Sequence, residues 1–386
     1  MVPNGWLLTT VGHCCKIRNE FRLPINSSER KKIAGPYPYF GPTGILDHIN
    51  EYRIDCEFAI IGEDGDHFLK YKEKDMTLLY SGKANINNHA HIITDSPTCL
   101  AKWFHLYFVH RDITAHLTRQ GAKRYKLTKS GLSEIPILLP PISEQREITS
   151  ILSVWDQAIT STKQLLANMQ LEKIATETNL LSGKAKFPGY ADWETKTVGD
   201  FITESRIQGT TGDIAKKITV RLYGQGVVAK NESRAGSEST KYYRRSAGQF
   251  IYSKLDFLNG AFGIIPQNLD GYESTLDLPA FDFKEHVDSF WFLKFVSRES
   301  FYISNLGLAN GGRKARRINP GDFLQVEIKV PTYEEQKKIA RMLCMADQGI
   351  ENLQKKLTCL KQEKKALMQQ LLTGKRRVQV DEMEIA

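Results

Sequence analysis

From residue 339 to residue 371, apolar side chains recur in steps of four and three: Ile339, Leu343, Ala346, Ile350, Leu353, Leu357 and Leu360, then Lys364, Leu367 and Leu371. This 3.5-residue period is the seam of a coiled coil, so it predicts a helix of roughly 40 residues with one face that must be covered. The same register recurs 191 positions earlier, less cleanly, as Ile148, Leu152, Trp155, Ile159, Thr162, Leu166, Met169, Lys173, Thr176 and Leu180. At ~1.5 Å per residue each helix spans about 60 Å. Packing the two copies along each other covers both seams, with Leu152, Ile159, Leu166, Leu343, Ile350, Leu357 and Leu360 as pairing residues. Lys173 and Lys364 hold the same seam position. Their aliphatic stems are expected to snorkel out of it rather than form a register-fixing buried pair.

The helices belong to a longer repeat. Residues 139–184 recur without a gap as 330–375, with 16 of 46 positions identical, among them Pro140 and Pro331, Glu144-Gln145 and Glu335-Gln336, and Asp156 and Asp347. Thr332 with Glu335 makes a capping-box pattern at the second start, Ser143 with Glu144 serves the first, and Gly183 and Gly374 supply the stops. Ahead of each helix a W-x5-G start recurs, Trp6 to Gly12 and Trp193 to Gly199. Leu78-Leu79-Tyr80-Ser81 answers Phe250-Ile251-Tyr252-Ser253, and Gly121-x-Lys123 answers Gly312-x-Lys314. Elsewhere the two units scarcely resemble each other. Residues 57–62 and 249–253, bounded by Gly, Asp and Asn turns, read as strands, so each unit is expected to be a β-rich α/β (α+β) domain. The predicted order is a first domain over 1–138, a first helix over 139–186, a second domain over 187–329, and a second helix with a C-terminal tail over 330–386.

Composition narrows the class. With 386 residues, 41% apolar and 25% charged, the chain has room for two cores. No apolar run approaches the ~20 residues of a membrane span, and the first six residues do not read as a secretion signal. The six cysteines, at 14, 15, 56, 99, 344 and 359, contain no C-x-x-C pair, so free thiols in a cytoplasmic protein are expected, without a zinc knuckle or disulfide framework. A net charge of +9 and a pI near 9.0 make a polyanion the leading partner.

The position of that charge says more. Lys16, Arg18, Asn19, Arg22 and Arg30-Lys31-Lys32 cluster in the first unit; Lys241-Tyr242-Tyr243-Arg244-Arg245 and Arg313-Lys314-x-Arg316-Arg317 cluster in the second. Lys and Arg neutralise phosphates while Arg, Asn, Gln and Tyr can read base edges, so the mixture suits a nucleic-acid surface. The alternative for each cluster is a solvated charged face. Little points to catalysis. Gly224-Gln225-Gly226 imitates a dinucleotide fingerprint but no amphipathic helix follows, and no P-loop exists. His89 and His91 lack a third ligand, and His105, His110 and His116 are not spaced by a helical turn, so no metal site is expected. The asparagine- or aspartate-proline-proline-aromatic loop of an amino-methyltransferase is absent.

Taken together, the W-x5-G starts, Leu-Pro-Pro-Ile-Ser-Glu-Gln at 139–145, Val-Pro-Thr-Tyr-Glu-Glu-Gln at 330–336 and the bridge Phe187-Pro188-Gly189-Tyr190-x-x-Trp193 resemble the specificity subunit of type I restriction-modification systems. Tyr37 to Ile45 and Asn87-Asn88-His89-Ala90-His91 resemble segments of that family's target recognition domains. The resemblance covers nearly the whole chain. It implies a DNA-reading adaptor without chemistry of its own: two target recognition domains joined by two long antiparallel helices with pseudo-two-fold symmetry, each domain reading half of a split asymmetric site. Two modification subunits carrying S-adenosylmethionine would dock on it, and restriction subunits using ATP and Mg could join them. The residues expected to contact DNA are Lys16, Arg18, Asn19, Arg22, Lys32, Tyr39, Lys83, Asn87, Asn88, His89 and Lys123 in the first unit. In the second they are Lys241, Tyr243, Arg244, Arg245, Lys254, Asn259, Arg313, Lys314 and Arg316. The competing readings are a self-contained methyltransferase or nuclease, and a coiled-coil scaffold that binds protein.

Overall fold

Phe58, Ala59, Ile60 and Ile61 are all buried, so the strand that carries them, Ile54–Gly62, must be covered on both faces. In the computed structural model, which describes residues 2–120, 124–231, 236–305, 307 and 317–379, it pairs antiparallel with Thr77–Ile86 on one side and Ala90–Thr94 on the other. Lys16–Ile17 extends the sheet beyond Ala90–Thr94. Ala34–Phe40 and Ile45–Ile49 extend it beyond Thr77–Ile86, the first of them in parallel, giving six strands. Alternation then sorts the side chains. Ala59, Ile61 and Ile93 join Trp6, Trp103, Phe104 and Phe108 in one core, while Phe58, Ile60 and Ile92 join Phe40 and Ile86 in another.

The chain forms two units: residues 1–164 with 355–386, and residues 165–354. Each holds one globular domain and part of both long helices, Ile142–Leu181 and Tyr333–Leu371. In the first unit Ile148 and Leu152 share the core with Leu371, and Lys364 Nζ reaches Asp156 at 2.5 Å, so the helix segments run antiparallel. In the second unit Leu180 and Leu181 share a core with Ile339 and Leu343, and Lys173 pairs with Asp347. The two ion pairs exchange under the 191-residue offset. Each seam lysine keeps its stem covered, with 18% and 22% of its side chain exposed, and carries its ammonium to a more exposed aspartate of the other helix. Leu152, Ile159 and Leu343 are buried in the seam, and Leu166, Ile350, Leu357 and Leu360 are half-buried.

The helix ends follow the sequence with one change. Gly183 and Gly374 take φ of +72° and +67°, a left-handed conformation that costs glycine little and lets each helix stop. Glu335 N–H donates to Thr332 Oγ1 at 3.4 Å, but the Glu335 carboxylate accepts from the Trp193 indole instead of closing the capping box. The glutamines beside the two glutamates tie each domain to its helix. Gln145 donates to Pro140 O and Thr98 O and accepts from Leu100 N–H; Gln336 donates to Pro331 O and accepts from Asp288 N–H. A two-stranded ribbon precedes each helix, Leu7–Thr10 with Pro136–Leu139 and Glu194–Thr197 with Glu327–Val330.

The second domain uses smaller sheets. Ile202–Ser205, Ala280–Phe283, Phe250–Tyr252 and Phe262–Ile264 form a four-stranded sheet whose aromatic residues pack on Trp291, Phe292 and Phe323. Gln208–Thr211, Lys241–Arg244 and Glu273–Ser274 form a second sheet, and Ile218–Val220 with Val227–Ala229 a hairpin. Among the described residues no helix is long and apolar enough to cross a membrane.

Candidate nucleic-acid interface

In the first unit, three separated stretches bring Asn19, Arg22, Asn88 and His91 together around Glu63. Arg22 Nη1 donates to Glu63 Oε2 at 2.8 Å and to Asn88 O at 3.2 Å, and Arg22 Nη2 meets His91 Nδ1 at 2.6 Å. Asn19 Nδ2 reaches the same Nδ1 at 2.9 Å, and Lys126 holds the other oxygen of Glu63 at 3.2 Å. His91 Nε2 donates to Leu127 O at 2.7 Å, which leaves Nδ1 as the acceptor of a neutral ring. Burial pushes the His91 pKa down, in agreement with that tautomer. Asn19 and Arg22 therefore hold the surface in shape, and Asn88 and His89 are the exposed residues beside them. His89 faces Asp64 at 2.9 Å.

The other expected residues of this unit divide by exposure. Lys16, Lys32 and Lys83 are exposed, and the Lys83 ammonium lies 4.6 Å from the Tyr52 ring, itself packed edge-on against Tyr37. Arg18 is half-buried, paired with Glu20 and 4.2 Å from the Phe21 ring. Two assignments need correction. Tyr39 is 1% exposed, with its hydroxyl donating to Leu23 O and accepting from Ile25 N–H, so it is a packing residue. Asn87 is buried and caps the next turn by accepting from His89 N–H. Lys123 lies outside the described residues.

In the second unit, strand alternation separates neighbours. Lys241 and Arg244 are exposed and Tyr243 is half-buried, but Arg245 is fully buried. Its guanidinium donates to Ser274 Oγ, Ser205 O and Leu278 O at 2.8, 2.9 and 3.2 Å, and desolvation pulls its pKa down to about 10. Arg245 is thus a buried lock between strands, and its expected DNA contact is withdrawn. Lys254 is half-buried, its N–H bonded to Asp277 O. Asn259 is exposed, with its amide on Asp256 Oδ1 at 3.2 Å. Arg313, Lys314 and Arg316 lie outside the described residues.

Sequence reasoning missed the loop at residues 221–226. It joins the hairpin strands, and Arg221, Tyr223 and Gln225 are exposed, Tyr223 by 76%. Tyr223 has φ of +56°, a left-handed conformation costly for a bulky side chain, and backbone bonds fix it: Tyr223 N–H to Asn259 O and Gly224 N–H to Gly260 O, both 2.9 Å. The available signal was an aromatic residue set among Gly224 and Gly226, which the fingerprint reading weighed only as a phosphate loop.

The two units share a framework and differ in their exposed polar residues. The family described as the type I restriction modification DNA specificity domain matches residues 3–171. A putative type I restriction enzyme specificity subunit of Haemophilus influenzae is 28% identical over 343 residues, covering 85% of this chain and 84% of that protein. The putative type I restriction enzyme MjaX specificity subunit of Methanocaldococcus jannaschii is 24% identical over 379 residues, covering 87% and 83%. The fold matches crystal structures of the S subunit from M. genitalium, with a TM-score of 0.57 at 13% identity covering 96% and 97%, and of the HsdS subunit from Thermoanaerobacter tengcongensis, with 0.52 at 15% covering 97% and 98%. Residues 3–171 thus match the type I restriction modification DNA specificity domain, and over most of its length the chain is similar to proteins described as specificity subunits of type I restriction enzymes.

Proposed function

We propose that the chain reads a bipartite asymmetric DNA site, with residues 1–138 and 187–329 each reading one half and the helices at 139–186 and 330–386 setting the gap. The observation that carries this reading is the contrast between repeated framework bonds, Gln145 with Pro140 and Gln336 with Pro331, and unlike exposed surfaces, Lys83, Asn88 and His89 in one domain against Arg221, Tyr223 and Arg244 in the other. Two readers of different sequence on one framework yield an asymmetric target. In this reading two modification subunits dock on the chain and bring S-adenosylmethionine, restriction subunits bring ATP and Mg, and the assembly works in the cytoplasm on double-stranded DNA.

Methylating a base requires taking it out of the stack, so the duplex is deformed near each half-site and its sequence-dependent stiffness contributes to recognition. The test is to combine the chain with its modification partner, expose DNA to the pair and map the methylated adenines. The expected pattern is two unlike half-sites at a constant separation. Methylation at a single continuous site, or without sequence preference, would overturn the reading.

A further inference from the structure

Three cysteines that show no metal-binding spacing in the sequence converge in the first unit. Cys14 closes the helical turn Val11–Cys14, and Cys15 is already extended, with φ −99° and ψ 151°. This abrupt change of backbone direction leaves the two sulfurs 3.6 Å apart. Cys99, from the turn after Ala90–Thr94, sets its sulfur 3.5 Å from that of Cys15, and all three sulfurs lie within 4.8 Å of one another. The backbone holds them there. Ser96 Oγ donates to Cys14 O at 2.5 Å and accepts from Cys99 N–H at 2.9 Å, while Gln145 brackets Cys99 through Thr98 O and Leu100 N–H. Cys14 and Cys99 are buried and Cys15 is half-buried, which leaves an approach from solvent.

We propose that Cys14, Cys15 and Cys99 form a three-thiolate site for one thiophilic d10 metal ion such as Zn2+ or Cd2+. Thiolates sharing a tetrahedral ion at a metal–sulfur distance of about 2.3 Å sit ~3.8 Å apart, so the Cys14–Cys15 and Cys15–Cys99 pairs, at 3.6 and 3.5 Å, already lie close to that separation. Three protein ligands leave the fourth position to water, and soft sulfur selects such ions over Mg2+ or Ca2+. Binding expels the thiol protons to solvent. The bound ion staples residues 11–15 to the turn that Gln145 grips at the start of the first long helix, so it stabilises the junction between domain and helix.

The test uses the full chain in a Cys56→Ser, Cys359→Ser background, which removes the exposed thiols. The reduced, chelator-stripped protein is titrated with Cd2+ while the ultraviolet sulfur-to-cadmium charge-transfer band is followed. One equivalent should saturate the band, and Cys15→Ser or Cys99→Ser should abolish it. Zn2+ should raise the thermal midpoint of the background protein and leave that of Cys15→Ser unchanged. Circular dichroism of Cys15→Ser, a half-exposed position, verifies that the fold survives. Absence of the band, or a band of equal affinity in Cys15→Ser and Cys99→Ser, overturns the site.

Discussion

The indole Nε1 of Trp6 donates to Oε2 of Glu144 across 2.9 Å, joining the start of the first unit to the first turn of its helix 138 residues later. Trp193 makes the same bond to Glu335 at 3.2 Å in the second unit, so the W-x5-G starts and the P-x3-E-Q segments, Pro140 to Gln145 and Pro331 to Gln336, are two ends of one clamp. The clamps are not equal. Glu144 also accepts from Arg377 Nε and Nη2 at 2.7 and 2.8 Å, whereas Glu335 Oε1 is buried without a hydrogen-bond partner among the described residues.

That inequality gives the first prediction. Glu144→Ala leaves a buried indole N–H unsatisfied and releases Arg377, and should cost the first unit ~1–3 kcal/mol. Glu335→Ala removes a carboxylate that was half unsatisfied already, and should cost the second unit less. Urea unfolding with separate probes for the two units measures both. Equal losses would mean that Arg377 adds nothing.

The crossed pairs Lys364 with Asp156 and Lys173 with Asp347 make the seam testable by charge reversal. Lys364→Asp sets like charges face to face. Because the Asp156 side chain is 56% exposed, solvent screens the pair and the cost should stay near ~1 kcal/mol. Adding Asp156→Lys should recover most of it. A double variant no more stable than the single would show that the pair does not hold the register. Leu357→Asp, which sets an unpaired charge at a half-buried seam position, should do more harm, disrupting assembly with the partner subunits before it disrupts either reader.

Much of this framework was legible beforehand because duplication writes it twice: a helix with a 3.5-residue period and its glycine stop are local signals, and a second copy at a fixed offset confirms each. The surface was less legible. Arg244 and Arg245 are the same residue type one position apart, yet one is exposed and the other wholly buried, a difference set by which face of the strand meets Ser205, Ser274 and Leu278. Arg22 and Asn19 looked like donors for DNA, but their partners His91, on the strand Ala90–Thr94, and Glu63, just past the end of Ile54–Gly62, are brought in by a strand register that no local pattern specifies. Tyr223 escaped because its left-handed backbone is imposed by Asn259 and Gly260, more than thirty residues on.

Tyr223→Gly separates strain from function at that loop. Glycine adopts the left-handed conformation freely, so stability should hold or rise by about 1 kcal/mol. If the exposed ring stacks on a base, duplex affinity should fall by roughly ten- to a hundredfold, from ~1–3 kcal/mol per stacked base. On the proposed division of labour, preference at one half-site should relax while the other half-site is unaffected. Unchanged affinity and preference would remove the loop from the interface.

Duplex binding as a whole should depend steeply on salt. If about six phosphates are neutralised, affinity should fall by on the order of a thousandfold between 50 and 200 mM salt, at a slope of about −0.9 per phosphate. Alanine at exposed Lys32 or Lys241 should shallow that slope, and alanine at Arg244 should alter sequence preference as well. A flat salt dependence in filter-binding or anisotropy titrations contradicts a phosphate-gripping surface.

Acid should weaken the first unit through His105. Burial lowers its pKa from the ordinary 6.5 to about 4, and Thr77 Oγ1 lies 2.9 Å from its Nδ1. Between those values the unfolded chain binds the proton that the folded chain refuses. Its contribution is therefore complete above pH 6.5, is lost as pH falls from 6.5 toward 4, and changes no further below. The loss is bounded at ~3.5 kcal/mol, from ~1.4 kcal/mol per pH unit. His91, also lowered by burial, acts in the same direction. The difference in unfolding free energy between the parent and His105→Gln, followed from pH 7 to 4, isolates the histidine from the carboxylates. A constant difference across that range would contradict its burial in the neutral form.

The strongest demand on the reading is a chain that carries residues 1–186 twice. The first unit takes part of its own packing from residues 355–386, so such a chain closes only if the equivalent segment, 164–186 in the second copy, can replace it. The contacts say that it can. Lys173 stands where Lys364 stood and again meets Asp156, Leu180 replaces Leu371, and Gly183 replaces Gly374 beside Trp6. Lys186 takes the place of Arg377 and keeps a cation at the Glu144 clamp. Two identical readers demand a palindrome, the first half-site, a gap and its inverse, and the gap should stay close to the parent's because the helices set it. Mapping methylated adenines after expression with the modification partner decides the matter. An interrupted palindrome sharing one half-site with the parent supports residues 1–138 as an independent reader; methylation at the parent's asymmetric site, or at a site sharing neither half, refutes it.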